Sequence, residues 1–123
     1  MTSRRAAKLL FDAVEAVRLV GAFVGARPFE AYCQDAMVRA AVERELIILG
    51  EALGALRRIR PELAEQVPEL ARIVAFRNIL VHGYDQLDDA IVWEAATVKL
   101  PALGPILARM LRSETTSDTP QAP

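Results

Sequence analysis

The chain is poor in the residues that usually announce a chemistry. It has one cysteine, Cys33. That excludes an internal disulfide, a cysteine zinc site and a Cys-x-x-Cys redox pair, and it fits a reducing compartment, the cytoplasm. It has one histidine, His82, with no opposing carboxylate pair near it in sequence, so neither a metal nor another cofactor is expected. No glycine-rich phosphate loop and no serine elbow occur. Charge of either sign is barely in excess: the formal net charge is −1. Any grip on a polyanion must therefore come from a local patch and not from bulk charge. No stretch approaches the roughly 20 apolar residues of a membrane span. Arg4 and Arg5 precede an apolar run, but Asp12, Glu15 and Arg18 interrupt it, so an amphipathic helix is expected and not a secretion signal. There is no internal repeat and no alternating strand pattern.

What remains is aliphatic. Hydrophobic residues make up 53% of the 123 and aromatic ones only 6%, a balance that suits packed helices in one domain. The spacing predicts an all-α fold, an antiparallel helical bundle of four to five helices over residues 1–112, with a disordered polar tail at 113–123. The first helix is expected from about Arg4 to Val24, its core line running through Leu10, Val14, Val17 and Gly21. Phe29 and Tyr32 fall in a short turn or helical piece, and Asp35 suits the cap of the next helix. That helix, about Ala36 to Arg58, offers two apolar lines. One is Val38, Ala41, Ile48, Ala52 and Ala55, with Glu45 inside it; the other is Val42, Leu46, Leu49, Leu53 and Leu56. Gly50 and Gly54 are spaced so that another helix can approach closely, at about 1 kcal/mol each relative to Ala. Arg57, Arg58 and Arg60 end the helix, either as a phosphate or acidic-partner contact or as a solvated end complementing the dipole.

The stretch from Pro68 to Tyr84, PELARIVAFRNILVHGY, organises the rest. It reads as one helix, apolar on almost every side and hence central and buried, with Gly83 as a left-handed terminus. Its second half carries Arg77, Asn78 and His82, with Tyr84 just beyond. Arg77 continues the line Leu70, Ile73, Leu80, and a buried guanidinium needs a partner. Glu45 is a candidate to face it; otherwise Glu45 reaches water at the edge. Asn78 and His82, four apart, share a neighbouring stripe. Asp88 suits the cap of a following helix that Pro101 should break or kink, and Trp93 on it suits the core or a dimer contact. A last helical piece is expected from about Ala102 to Leu111.

The pattern Arg77-x-x-x-x-His82-x-Tyr84, within RNILVHGYDQLDDAIVWE, resembles the signature of the HEPN superfamily and its HepT-type toxin branch. The likeness spans about residues 4 to 112 and includes ERELIILGEA, Glu43 to Ala52. It implies an all-α HEPN-like homodimer whose two signatures meet across the interface and cleave RNA. It also implies a partner, an MntA-type nucleotidyltransferase antitoxin that transfers AMP to Tyr84. The residues suit such chemistry. An imidazole, which as a side-chain type titrates near neutrality, can take the 2′-hydroxyl proton. A guanidinium matches phosphate oxygens better than lysine does. Arg77 and His82 are thus the catalytic candidates; Asn78, Glu45 and Tyr84 support or bind, with Tyr84 also the modification site. The alternative is a non-catalytic helical subunit that binds a nucleotidyltransferase.

Overall fold

Two aspartates mark where helices begin. The structure, a computed structural model, describes residues 2–83 and 87–117. Asp35 accepts from the Val38 amide at 3.1 Å, and Asp88 from the Ala90 amide at 2.8 Å, each satisfying an amide that the helix leaves unpaired. The elements are α1 (Thr2–Val24), α2 (Phe29–Gln34), α3 (Ala36–Ile59), α4 (Pro61–Ala64), α5 (Leu70–His82), α6 (Asp89–Glu94), a π-helical turn (Ala95–Lys99) and α7 (Leu100–Ser117). The described residues contain no strand, so the fold is all-α as expected.

Helix α1 is the hub, packing on α3 along one side and α7 along another. Its buried line is Ala6, Leu10, Ala13, Ala16, Val20 and Val24. Val14 and Val17 flank that line, and Gly21 is exposed. The small alanines let neighbours come close, and α7 arrives at Gly104, where an added Cβ would stand 3.2 Å from Val17 Cγ1. Of the two apolar lines on α3, the one with Val42, Leu46, Leu49, Leu53 and Leu56 is the core; the other is half-buried apart from Ala52. Tyr32, fully buried on α2, lies against Trp93 with ring centroids 5.3 Å apart, and Phe29 lies 5.7 Å from the same ring. Burial pushes the Tyr32 hydroxyl well above the usual tyrosine range, so it stays protonated. Trp93 is thus a packing residue.

Three expectations change. Pro101 does not break its helix: α6, the π-helical turn and α7 run on as one, Asp89–Thr116. The Leu100 amide bonds to Ala95 across the wider turn. This relieves the clash a proline ring would make with the carbonyl four residues before it. It also keeps Val92, Ala96, Leu100, Leu103 and Leu107 on one buried stripe. The resulting helix is long and apolar enough to span a membrane by length and composition alone, but its buried stripe already serves the bundle. Second, the helix continues through Ser117, beyond the expected boundary at 112. Glu114 is buried there and accepts a hydrogen bond from Arg60 at 2.8 Å. Third, α5 is not central. Of its residues only Leu70 and Leu80 are buried, because α3 is its main neighbour. It starts at Leu70, after Glu69 turns the chain at φ +57°, and not at Pro68. Gly83 does end it, but at φ −118°, with its amide bonded to the Ile79 carbonyl at 2.7 Å.

Candidate functional site

Helix α5 crosses α3 at Gly50. A Cβ placed on Gly50 would lie 2.3 Å from Arg77 Cβ and 2.8 Å from its Cγ. No side chain at position 50 is compatible with that approach, and the stem of Arg77 occupies the space a side chain would fill. The close-approach role read from the two glycines therefore holds at Gly50, with α5 as the approaching helix, while a Cβ on Gly54 would meet only ordinary contacts at 3.8 and 3.9 Å.

The crossing decides which carboxylate meets Arg77. It is Glu51, next to the glycine, and not Glu45. Arg77 Nη2 donates to Glu51 Oε1 at 3.2 Å, and Nη1 donates to Asn78 Oδ1 at 2.9 Å. No hydrogen bond or ion pair joins Glu45 to Arg77. Arg77 Nε is buried without a hydrogen-bond partner. The guanidinium is not sealed in: the side chain is 30% exposed and that of Glu51 50%. An ion pair this wet contributes little stability, about 0–1 kcal/mol. Its consequence is orientation, since Nη1 and Nη2 are each held by a partner while the side chain stays partly open to solvent.

A cleft of about 300 Å³ opens there, lined by Gly50, Glu51, Gly54, Arg58, Val74, Arg77 and Asn78. Arg58 was legible only as part of a basic helix end. Its offsets from Glu51 and Gly54, seven and four, were the signal that it shares their stripe. Arg60, from the same cluster, instead pairs with Glu62 and Glu114, and Arg57 is exposed outside the cleft.

His82 is exposed at the last turn of α5 and does not line this cleft. Five residues from Arg77, it points well round the helix. It is therefore not the buried histidine that an all-round apolar helix implied. It falls on an open stripe with Ala71, Ala75, Asn78 and Ile79, all exposed. Within the chain the structure joins Arg77, Asn78 and Glu51; it brings neither His82 nor Glu45 to Arg77. Tyr84 lies outside the described residues.

A larger groove of about 520 Å³ lies between α5 and the last helix, floored by Leu46 and Leu49 and walled by Ile73, Phe76, Val98 and Ile106. It is mostly apolar, and neither Arg77 nor His82 lines it.

Comparison with known proteins gives the family. Residues 13–110 match the profile of the HepT-like ribonucleases. A Methanocaldococcus jannaschii protein named as a candidate RNase is 30% identical over 105 residues, covering 84% of this chain and 94% of that one. A Thermococcus cleftensis protein named as a probable ribonuclease HepT is 32% identical over 98 residues, 76% of this chain and 84% of the relative. A Caldanaerobacter subterraneus protein, also named as a candidate RNase, is 30% identical over 86 residues, 70% and 76% of the two chains. No solved structure gives a significant match. With a family profile covering most of its length and an all-α fold that presents an arginine over a glycine crossing, this chain belongs to the HepT-like ribonuclease family.

Proposed function

We propose that the chain is the ribonuclease toxin of a toxin–antitoxin pair, an endoribonuclease that cuts RNA without a metal in a cleft completed by a second copy of itself. The observation that carries the reading is Arg77, braced by Glu51 and Asn78 over the glycine crossing and partly open to the cleft it lines. A phosphate can reach that fork without rebuilding the site.

His82 supports the two-copy form. It sits away from Arg77 in one protomer, on the stripe Ala71, Ala75, Asn78, Ile79 and His82. That stripe carries two alanines, an isoleucine and no carboxylate, a surface suited to a second α5. Pairing two such stripes would gather two arginines and two histidines round one groove. His82 then takes the proton of a ribose 2′-hydroxyl, and the 2′-oxygen attacks the adjacent phosphorus. Arg77 offsets the charge that builds on the phosphoryl oxygens. The 5′-oxygen leaves with a proton, giving a 2′,3′-cyclic phosphate and a 5′-hydroxyl end.

Regulation follows from the family resemblance. An MntA-type nucleotidyltransferase would transfer AMP to Tyr84, just past the end of α5. A bulky anion there would compete with RNA for the arginines.

The test is incubation of the purified chain with total RNA in chelator. Cleavage with cyclic-phosphate ends is expected from the parent, and none above background from His82→Ala, with an unchanged circular dichroism spectrum. His82→Ala cutting as well as the parent would remove histidine from the mechanism. A parent that leaves RNA intact would favour the non-catalytic subunit of a nucleotidyltransferase instead. The dimer has its own check. Ile79, 40% exposed, tolerates a charge in a lone protomer, so Ile79→Glu should give a folded monomer by sedimentation and lose cleavage in parallel.

A further inference from the structure

Arg58 is the second cation of the Arg77 cleft. Its side chain turns back along α3, so that Nη1 stands 3.9 Å from where a Cβ on Gly54 would be. This is the usual backward lean of a long side chain on a helix, and here it carries the charge over a glycine, toward Arg77 and away from the helix end. Val74 Cγ2 closes the other side, 3.8 Å from the same point. Gly54, itself buried, thus sits between an aliphatic wall and a guanidinium.

The charges of the cleft lining are Arg77, Arg58 and Glu51, which leaves an excess of one positive charge in a chain whose net charge is −1. Glu51 is spoken for by Arg77. Arg58 makes no ion pair or hydrogen bond among the described residues, whereas Arg60, two residues on, has two carboxylates. A concave cleft with an uncommitted guanidinium beside a second one is a place for an anion. Gly50 and Gly54 are about one helical turn apart, so a strand whose phosphate meets Arg77 would run its neighbouring phosphate past Gly54 to Arg58.

We propose that Arg58 is a substrate-binding residue that holds an RNA phosphodiester next to the one at Arg77. The proposal rests on the ribonuclease reading given above. Arg58 grips the strand without touching the reacting atoms, so its loss acts on binding and not on the chemical step.

The experiment measures binding of a 2′-O-methyl single-stranded RNA, which cannot be cut by attack of its own 2′-oxygen, across a salt series, together with KM and kcat on unmodified RNA. Arg58→Gln is expected to weaken binding about tenfold, and to flatten the slope of log affinity against log salt by about 0.7, the share of one phosphate on a single strand. KM should rise and kcat hold. Arg57→Gln, one residue away and outside the cleft, should change neither, and Arg58→Lys should restore the slope. Equal affinity and slope in Arg58→Gln and Arg57→Gln would overturn the proposal while leaving cleavage by the parent untouched. A parent that binds with the Arg58-dependent slope but never cuts would instead overturn the nuclease reading and leave Arg58 as an RNA contact. A parent that does not bind the oligonucleotide overturns both.

Discussion

Gly50→Ala is expected to destabilise the protein by about 1–3 kcal/mol, the usual cost of forcing a methyl group into a filled contact, and to remove most RNA cleavage. Helix propensity alone argues the opposite sign, since alanine in a helix interior is favoured over glycine by about 1 kcal/mol. The new Cβ, however, would overlap Arg77 Cβ and Cγ and stand 3.4 Å from the Ile73 carbonyl oxygen. Those are the root of a side chain and backbone, not the tip of something flexible. Helix α5 must lift, and the guanidinium leaves Glu51. Gly54→Ala is the matched control. Its Cβ would find only ordinary contacts at 3.8 and 3.9 Å, so a gain of up to about 1 kcal/mol is expected. Urea unfolding of the two variants should therefore move in opposite directions. Equal stabilisation of both would show that the helices do not cross as closely as described.

Arg77→Lys is the second large effect. Lysine keeps the charge and much of the stem that packs on Gly50, but it lacks the planar fork. It cannot hold Asn78 and Glu51 at once and still present a donor edge to phosphate. Loss of a positioned donor at a developing charge is worth about 10²–10³-fold in kcat, and that is the expected fall, with KM little changed. Single-turnover cleavage of a defined RNA measures it. A variant that keeps more than about a tenth of the parent rate would mean that charge alone suffices and that the bracing by Glu51 and Asn78 has no catalytic consequence.

These two results bear on residues that were readable to different degrees. The bounds of α1 and α3 follow, to within two residues, from periodicity and from Asp35, because caps and apolar spacing are local signals. The glycines of α3 announced a close approach for the same reason. What periodicity leaves open is which neighbour each face meets. Periodicity supplied two apolar lines on α3 but not which one faced the core. An all-round apolar α5 implied burial, yet only one helix covers it in a protomer, and its open stripe is what carries His82. Glu45 was chosen because it interrupted an apolar line; the partner is Glu51, because the crossing at Gly50 sets the reach of Arg77. Pro101 carries a local rule against helix that a single wide turn upstream was enough to satisfy. The burial of Glu114 could not be seen at all, since its partner Arg60 is 54 residues away.

The helix from Asp89 to Ser117 touches both ends of α3 through charge: Arg39 meets Asp89 at 3.6 Å near one end, and Arg60 meets Glu114 at 2.8 Å at the other. Helix α3 is thereby a beam pinned at two supports, with α1 beneath it. Helix α5 is tied to the same beam at its middle, where Arg77 packs on Gly50 and pairs with Glu51 at 3.2 Å. Displacing α5 would therefore carry Arg77 and His82 away together, while Gly50 and Glu51 stay with the beam.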